Sequence, residues 1–321
     1  MDQANEMEVR ARIENRSDES QRAHQHGSDA ILAVVVPFLN EREHLPTFLA
    51  SIDAQTRRPD RLVLVDDGST DGSFELARQF SDQRSYATAL RRPPRPAEAD
   101  RLATAAELRA FQWGLEQIDV PYDIVAKLDA DLELTPVHFA EIADGFARDP
   151  GLGLAGAYLS IRSPTGDTVR EQHPPDHVRG PNKFYRRECL DQIGRLPAHL
   201  GWDAIDEVKA RMYGWRTASI ELSEGDSIHL RPTGAHDGRL RAFRRWGECA
   251  YGFGSHPLNV LAGGVARART RPYLLAGAAY VAGWLLAWIR RRPRADRDVR
   301  AFKRREELHR IRRLAAHPST T

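Results

Sequence analysis

Two aspartates, Asp129 and Asp131, stand in D-x-D spacing directly after the apolar run 124–128. In an extended segment the side chains at i and i+2 point to the same face, so these two carboxylates can share one divalent cation. Mg²⁺ in proteins typically binds one or two carboxylates together with phosphate oxygens. The pair therefore indicates chemistry on a phosphate-bearing, nucleotide-activated substrate at the end of a strand.

The segments before this pair alternate between strand and helix patterns. The continuous apolar run 31–36, which Pro37 ends, and the run 61–65 predict strands that are buried on both faces, as in a parallel sheet. Apolar residues at helical spacing predict helices over about 43–55 and 73–80. Strand, helix, strand, helix is the order of a doubly wound α/β sheet, whose ligands bind at the carboxyl ends of the strands.

Polar clusters follow three of the predicted strands, at 37–41, 66–71 and 129–131. Parallel strands end at the same edge of a sheet, so the three clusters are predicted to line one crevice. In the second cluster, Asp67 is a candidate to accept a hydrogen bond from a nucleotide base, with Asp66 bracing the loop. The same cluster also suits a simple turn that caps the next helix, because Asp, Ser and Gly are common turn and cap residues.

Composition limits the remaining possibilities. The 321 residues are enough for two domains or for one α/β domain with additions, and 41% hydrophobic residues can form a sizeable core. The net charge of +2 is unevenly distributed, because residues 290–321 carry +8 and the rest of the chain carries −6. Two cysteines without a C-x-x-C partner argue against a disulfide framework and a zinc site. We therefore expect a reducing, cytosolic setting, with no secretory signal.

Three motifs, in this order and spacing, resemble those of the family 2 glycosyltransferases of GT-A fold. They are Val35-Val36-Pro37-Phe38-Leu39-Asn40-Glu41, Val65-Asp66-Asp67-Gly68-Ser69-Thr70-Asp71 and Lys127-Leu128-Asp129-Ala130-Asp131. The similarity covers about residues 31–225. It implies an α/β fold of the Rossmann-like GT-A type. It also implies a membrane-associated bacterial enzyme that transfers a sugar with inversion from a nucleotide-sugar donor, usually with Mg²⁺ or Mn²⁺.

The resemblance further implies roles for single residues. The nucleotide-sugar would contact residues of all three motifs, which are Pro37, Phe38, Asn40, Glu41, Asp66, Asp67, Lys127, Asp129 and Asp131. Asp129 and Asp131 would bind the ribose, the diphosphate and the metal ion. His229 is a further metal candidate, because a histidine near this position is the third ligand in some GT-A enzymes. A lone histidine equally suits a hydrogen-bonded structural role.

An inverting transfer needs a base on the acceptor side, and the segment 201–212 offers acids for it. The segment reads as the start of a helix on which Asp203, Asp206 and Glu207 share one face, and its apolar positions are predicted to pack on the sheet. Family members have a Glu-Asp pair here, and Trp202 replaces the Glu. The base is therefore Asp203 or Asp206, with Asp203 favoured, and it would take the proton of the attacking hydroxyl. Asp203 also suits a helix N-cap.

Two basic and aromatic segments are candidates for contacts with the acceptor or the diphosphate. Arg179 and Lys183 lie where the family builds its acceptor wall, although their segment equally suits a loop that leads into the next helix. Arg245 and Trp246 resemble the end of the Q-x-x-R-W signature of processive members. Arginine replaces the Gln of that signature, which argues against polymer synthesis, and an amphipathic interface helix is the alternative.

The last third of the chain contains a membrane-binding pattern. Residues 272–289 carry no charge and would form a helix of about 27 Å, slightly short of a hydrocarbon core of about 30 Å. A single span is disfavoured because it would export the segment of +8 charge. An interfacial or re-entrant hairpin with 251–266, and an Arg-rich helix over 298–314 on anionic lipid, are predicted at the cytoplasmic face of the membrane. A buried helix is the alternative, and nucleic acid is not an expected partner.

The predicted organisation has four parts: a disordered polar leader at 1–28, a GT-A domain at 29–235, membrane-associated helices at 236–292 and an Arg-rich cytoplasmic tail at 293–321. The expected acceptor is a polyprenyl phosphate, a glycolipid, or a lipid-linked or other envelope glycan. Two other functions fit the pattern. One is a non-catalytic membrane-associated scaffold that binds sugar nucleotides. The other is a sugar nucleotidyltransferase, although 37–41 lacks the glycine-rich loop of that class.

Overall fold

The computed structural model describes residues 29–95, 98, 100–162, 166–231 and 238–316. The chain divides into two compact units. The first takes the described residues of Met1–Pro94, Ala110–Gln192 and Gly214–Leu230, and the second takes those of Arg95–Arg109, Ile193–Tyr213 and Arg231–Thr321. The predicted leader at 1–28 lies outside the described residues and stays a prediction.

The first unit contains two sheets. Its strands are β1 (Leu32–Phe38), β2 (Arg61–Asp66), β3 (Ala87–Arg91), β4 (Ile124–Leu128), β5 (Leu132–Glu133), β6 (Leu152–Ala157), β7 (Leu159–Arg162), β8 (Thr168–Arg170), β9 (Asn182–Arg186), β10 (Arg216–Ile220) and β11 (Ser227–His229). The large sheet has the order β10-β6-β9-β4-β1-β2-β3, and within it β9 runs antiparallel to both neighbours. The mostly parallel α/β sheet predicted from the sequence is confirmed.

Helices connect these strands and form most of the second unit. In chain order they are α1 (Leu45–Asp53), α2 (Ser73–Ser81), α3 (Ala106–Leu115), α4 (His138–Arg148), α5 (Arg187–Ile193), α6 (Trp202–Met212), α7 (Arg239–Gly252), α8 (Pro257–Arg267), α9 (Leu275–Ile289) and α10 (Arg297–Ala316). The predicted strands 31–36 and 61–65 and helices 43–55 and 73–80 agree with β1, β2, α1 and α2 to within two residues.

β1 lies inside the large sheet, where all seven of its residues are buried. It pairs in parallel with β2 on one side and with β4 on the other. The register with β2 places Phe38 opposite Asp66, so the loops that follow the two strands begin side by side. A strand covered on both faces reads as a continuous apolar run, which is why the sequence located it.

The small sheet has the order β5-β11-β7-β8 and brings distant segments together. β11 pairs antiparallel with β5, which places His229 opposite Leu132 and Ile228 opposite Glu133. β11 also pairs in parallel with β7, which places His229 opposite Ile161. The short sheet therefore holds His229 next to the residue that precedes β5, which is Asp131.

His138, the first residue of α4, is fully buried in the first unit. Its Nδ1 lies 2.7 Å from Ser227 Oγ and its Nε2 lies 3.1 Å from Asn182 Oδ1. Asn182 also donates from its amide to the carbonyl of Ala157, at 3.0 Å. Burial lowers the pKa of His138 from 6.5 to about 4, although the hydrogen bond to Asn182 opposes this effect. The neutral imidazole therefore joins β6, β9 and β11 through one polar network.

The buried histidine predicts a loss of stability in acid. Because the unfolded chain binds the proton first, stability from this residue is full above pH 6.5 and is lost as the pH falls towards 4. We expect His138 to account for about 2 kcal/mol of the decrease in unfolding free energy between pH 7 and pH 5. Urea unfolding at both pH values measures it, and His138→Asn should remove that part of the difference. An exposed control, His309→Asn, should leave it unchanged, and an equal effect of both variants would contradict the assignment.

The apolar face of α6 packs against the C-terminal helix of the second unit. Ile205 and Val208 form a buried cluster with Ala295 and Val299, and Met212 packs against the cluster. Packing of these α6 residues on the sheet, as the sequence predicted, is therefore wrong. The helical spacing correctly identified an apolar face, but it carried no information about which element covers it.

Ionic and polar contacts also fix α10 within the second unit. Arg211 of α6 donates to Glu306, with 2.7 Å between Nε and Oε1. Glu307 is buried and accepts hydrogen bonds from Ser255 Oγ at 2.8 Å, from the His256 amide at 2.7 Å and from Asn259 Nδ2 at 3.0 Å. The predicted Arg-rich helix 298–314 is therefore present as α10, with one face used for packing within the protein. Its contact with lipid stays a prediction.

Helices α7, α8 and α9 pack through glycines. A Cβ on Gly247 of α7 would collide with the carbonyl of Tyr280, and a Cβ on Gly283 of α9 would collide with the carbonyl of Arg244. A Cβ on Gly277 of α9 would likewise meet the carbonyl of Gly264 in α8. The apolar segment 272–289 thus forms a helix of 15 residues from Leu275. Within the described part of the chain, no helix is both long enough and apolar enough to cross a membrane.

Gly283→Ala is expected to destabilise the second unit by about 1–3 kcal/mol, because the new methyl group pushes the backbones of α7 and α9 apart. Intrinsic helix propensity would give the opposite sign, since alanine favours a helix over glycine by about 1 kcal/mol. The thermal unfolding midpoint measures the outcome. Gly263→Ala in α8 is the matched control, because its Cβ would first meet the flexible end of Arg267 at 3.1 Å and the Tyr280 ring at 3.2 Å. Stabilisation by Gly283→Ala would disprove the close contact.

Candidate functional site

The loops that follow β1 and β2 are joined by hydrogen bonds. The Asn40 amide donates to Ser69 Oγ at 2.9 Å, and Asn40 Oδ1 accepts from the Thr70 amide at 2.9 Å. The Glu41 amide donates to Ser73 Oγ, also at 2.9 Å. Side chains of each loop therefore satisfy backbone amides of the other, and these hydrogen bonds hold the two loops together as one surface.

Backbone conformation explains several residue types in these loops. Asn40 has a φ of 55°, in the left-handed region that asparagine tolerates better than most residues. Gly68 has a φ of 103°, and a Cβ placed on it would meet nothing within 4 Å. The space above Gly68 is therefore open, so a ligand can approach the backbone at this turn.

The two acids of the second motif occupy different positions. Asp66 is fully buried and accepts hydrogen bonds from the Ser69 amide at 2.9 Å and from Arg91 Nε at 2.6 Å. Asp67 forms an ion pair with Arg92. Asp66 thus closes the turn, and Asp67, whose side chain is also buried, is held in place by an arginine.

Sequence reasoning did not identify Arg91 and Arg92. They stand at the end of β3, which pairs in parallel with β2 and places Arg91 opposite Asp66. The Arg91 guanidinium also lies 4.2 Å from the centre of the Phe74 ring. Their position was the signal that could have identified them. Two adjacent arginines stand at the end of a third strand, and a parallel neighbour of β2 ends at the same edge of the sheet as the candidate site.

Lys127 lies beneath the D-x-D pair. Its side chain is buried, its ammonium group contacts the Asp129 carboxylate, and it donates to the carbonyl of Gly180 at 3.0 Å. The Asp129 amide donates to the carbonyl of Pro181 at 2.9 Å. Lys127 therefore holds Asp129 and the segment before β9 in place. Lys183, which is also fully buried, lies opposite Lys127 in the pairing of β4 with β9.

Asp131 and His229 lie side by side in the first unit. His229 Nε2 is 3.6 Å from Asp131 Oδ1, and each of the two residues is only 5% exposed. The amide of Leu230 donates to the carbonyl of Asp131 at 2.9 Å, which continues the pairing of β11 with β5. Sequence reasoning proposed both residues for one site, and the small sheet brings them together across about 100 positions of the chain.

A second carboxylate, Glu171, approaches the same histidine. Its Oε2 lies 3.7 Å from His229 Nδ1, and its Oε1 accepts a hydrogen bond from Arg179 at 2.8 Å. Burial alone would lower the pKa of His229, but the carboxylates of Asp131 and Glu171 raise it to about 9. Glu171 follows a short strand and carries no sequence motif, so only the folded chain reveals its role. It links Arg179 to the D-x-D pair.

In the second unit, the acids of α6 differ in burial. Asp203 is half-buried in the first turn, whereas Asp206 is fully buried and its carboxylate accepts from the Glu207 amide at 2.7 Å. Glu207 is buried as well and lies 3.7 Å from Arg211. Among the three acids, Asp203 has the carboxylate that a substrate reaches most easily.

The two candidates on α7 have partners inside the second unit. Arg245 forms an ion pair with Asp100 at 3.1 Å. Trp246 is 43% exposed, its ring meets Phe243 edge to face, and the Arg267 guanidinium lies 5.7 Å from its centre. Both side chains are thus placed on a helical surface of the second unit, and their predicted contact with the acceptor or diphosphate stays a prediction.

The model of the family described as "Glycosyl transferase family 2" matches residues 33–200. The chain belongs to this family. The match includes β1, β2, β4 and the polar residues that follow them. Asp203 and His229 lie beyond its end, so their roles rest on this chain's own geometry.

Named relatives of this glycosyltransferase come from bacteria and archaea. An uncharacterized glycosyltransferase of Mycobacterium tuberculosis is 30% identical over 209 residues, which are 61% of this chain and 86% of that protein. The glycosyltransferase AglE of Haloferax volcanii is 27% identical over 186 residues, or 53% of this chain and 57% of that protein. The chain is accordingly an enzyme of the glycosyltransferase class.

A solved structure shows the same fold. The mannosyltransferase PcManGT of Pyrobaculum calidifontis, in complex with GDP-Man and Mn²⁺, has a TM-score of 0.54 and 19% identity to this chain. The similarity covers 80% of this chain and 86% of that chain. It confirms the GT-A fold class that the motifs implied.

The donor set of this glycosyltransferase fits a divalent cation. Two ligand atoms bound to one ion at about 2.1 Å lie about 3 to 4 Å apart, and Asp131 Oδ1 and His229 Nε2 are 3.6 Å apart. Within the described ranges no group of three or more His, Cys, Asp and Glu side chains can hold an ion alone. Mg²⁺ commonly completes its coordination with water and substrate phosphates, so a site with few protein ligands suits a diphosphate substrate.

Proposed function

We propose that this chain transfers a sugar, with inversion, from a nucleoside-diphosphate sugar to an acceptor hydroxyl or phosphate. The observation that carries the proposal is the buried pair of Asp131 and His229, because Asp131 follows β4, the strand that pairs in parallel with β1. A family 2 fold places donors at the edge of the sheet where these strands end, and the joined loop surface suits a nucleoside.

The first unit would bind the donor. Asp67 and the loop around Asn40 face the nucleoside, where the open space above Gly68 admits a base or ribose. Asp131 and His229 would hold Mg²⁺ or Mn²⁺ together with the diphosphate, and Asp129, whose carboxylate contacts Lys127, would contact the ribose. When bound, the cation neutralises the charge that grows on the departing nucleoside diphosphate. Lys127 keeps Asp129 oriented through its buried contact.

The second unit would supply the base. Asp203 is half-buried at the start of α6, so a substrate can reach its carboxylate. It would accept the proton of the acceptor as the new bond to the anomeric carbon forms. Asp206, which is fully buried, is the alternative base.

We further propose that the acceptor is presented at the cytoplasmic face of a membrane, as a polyprenyl phosphate, a glycolipid or a lipid-linked glycan. The support is the apolar composition of α9 and the arginines that flank it. An acceptor anchored in the bilayer would need an enzyme that stays close to the surface.

A donor screen tests the transfer. We would measure nucleotide release from UDP-, GDP- and TDP-sugars with Mn²⁺ and Mg²⁺, starting with GDP-mannose because PcManGT is described with GDP-Man. Metal-dependent release of a nucleoside diphosphate supports the proposal. Binding of a donor without release or transfer under any condition would favour the scaffold function. Formation of a nucleoside triphosphate and sugar phosphate with added pyrophosphate would favour a nucleotidyltransferase.

A further inference from the structure

Helices α8 and α9 of the second unit each leave a stripe of large apolar side chains in contact with solvent. On α8, Leu258, Leu261 and Val265 recur at helical spacing and are 55–63% exposed. On α9, one side of the helix likewise carries Leu275, Leu285 and Ile289, which are 42–66% exposed. We call these six residues, with Leu274 and Trp288, the apolar face. Contiguous exposed apolar surface of this kind normally marks an interaction site.

The charge around the apolar face has one sign. Between Glu248 and Asp296 the sequence contains seven arginines and no acidic residue. Arg269 and Arg271 precede α9 and Arg290 to Arg292 follow it, and all of them are exposed. The 15 residues of α9 would separate these two groups of arginines by about 22 Å. Exposed apolar side chains bordered by arginines suit the surface of an anionic membrane, which attracts basic segments.

An open groove of about 700 Å³ lies at one end of this face. Gly238, Arg239, Leu240 and Arg241 line it from the start of α7, and Arg271, Pro272 and Tyr273 line it from the turn before α9. Three of the residues that line this groove are arginines, and arginine binds phosphate through paired N–H donors. Leu240 and Tyr273, 45% and 59% exposed, continue the apolar surface up to the groove. A ligand that combines a phosphate with a hydrocarbon chain matches both features.

We propose that the apolar face docks on an anionic lipid bilayer and that the arginine groove, formed by Arg239, Arg241 and Arg271, binds the phosphate of a lipid headgroup. This deepens the membrane location proposed above, although it depends on the second unit alone. A second copy of the chain is a poorer occupant, because its own arginines would meet these arginines without any acid in the intervening segment. Anionic lipid satisfies the apolar side chains and the positive rim together.

Vesicle binding of the full chain tests the proposal. We would measure co-sedimentation with vesicles of phosphatidylcholine alone and of phosphatidylcholine mixed with phosphatidylglycerol. The wild type should bind the mixed vesicles and lose binding as salt is added. The variant Arg239→Gln/Arg241→Gln/Arg271→Gln should weaken binding by about tenfold or more, since each cation near the surface contributes. Equal binding to neutral vesicles would overturn the proposal.

Matched variants distinguish the contribution of the groove and the apolar face to vesicle binding from the effects of overall charge and hydrophobicity. Arg58→Gln/Arg78→Gln/Arg148→Gln removes three exposed arginines of the first unit and should retain binding to within about twofold. Leu261→Ser/Leu285→Ser should weaken binding, whereas Val120→Ser/Val169→Ser, at exposed sites of the first unit, should not. If the control variants weakened binding as much as the others, the assignment of the surface would be wrong.

Three further outcomes would also overturn the docking proposal. The first is a wild-type dimer that does not bind vesicles and that Leu261→Ser/Leu285→Ser dissociates. The second is full competition by soluble glycerol phosphate, which would assign the groove to a free phosphate. The third is a loss of donor hydrolysis by the groove variant in the absence of vesicles, which would assign the groove to the donor site. Measuring donor hydrolysis also allows the proposed sugar transfer and the proposed membrane docking to be tested separately. Vesicle binding without nucleotide release from any donor would contradict the proposed transfer but support docking.

Discussion

Replacing Asp131 by asparagine is expected to lower the rate of sugar transfer by about a thousandfold, which corresponds to about 4 kcal/mol of transition-state stabilisation. Asparagine keeps the size of the side chain but removes the negative charge that would hold the cation. Because Asp131 is only 5% exposed and lies 3.6 Å from His229, solvent cannot substitute for the lost carboxylate. Initial rates across a Mn²⁺ series measure the effect, and the variant should need far more metal for its residual activity.

Glu133→Gln is the matched control for this change. It converts an acid to its amide on β5, two positions further along, where the carboxylate accepts from Arg162 at 2.7 Å on the surface. A surface ion pair contributes about 1 kcal/mol or less, so the control should retain activity to within about twofold. Thermal unfolding of both variants checks that the fold persists. Wild-type metal dependence in Asp131→Asn would remove this residue from the cation site.

Replacing Asp203 by asparagine is expected to reduce the rate constant for transfer by about a hundredfold to ten-thousandfold, the usual contribution of a positioned general base. Donor binding should be unchanged, because Asp203 acts on the acceptor. Steady-state rates at saturating donor, combined with calorimetric donor titration, distinguish the two effects. Asp203 is the accessible acid of α6, and this exposure is the reason for choosing it over Asp206.

Asp206→Asn is the companion variant. Asp206 is fully buried and its carboxylate accepts from the Glu207 amide at 2.7 Å, so its replacement should lower the thermal unfolding midpoint more than it lowers the rate. Full transfer by Asp203→Asn, together with an inactive but folded Asp206→Asn, would move the base to Asp206.

Local features of the sequence predicted the fold well in segments where burial of both faces of a strand requires a continuous run of apolar residues. β1 and β4 read as apolar runs because both faces of each strand are covered. The loops after β1 and β2 were recognisable because their backbone conformations and capping hydrogen bonds demand Asn, Asp, Ser and Gly at fixed positions. In these segments residue type and structure are linked over a few positions.

Contacts between distant segments were harder to predict. Glu171 and Arg92 belong to the candidate site through strand pairing and ion pairs, and neither residue carries a motif. The partner of the apolar face of α6 was predicted wrongly, since Ile205 and Val208 pack on α10. Periodicity shows that a face is buried, but a neighbour contributed by a later helix leaves no trace near that face.

Residue types and spacing were sufficient for the family and the α/β fold, because these depend on burial and chemistry within short segments. Tertiary structure alone decided that His229 lies against Asp131, that Lys127 lies beneath Asp129, and that part of an all-apolar helix stays exposed beside an arginine groove. Those arrangements arise from sheet register and from helix packing through glycines such as Gly283. Both join residues that are far apart along the chain, so the local pattern of neither partner specifies the other.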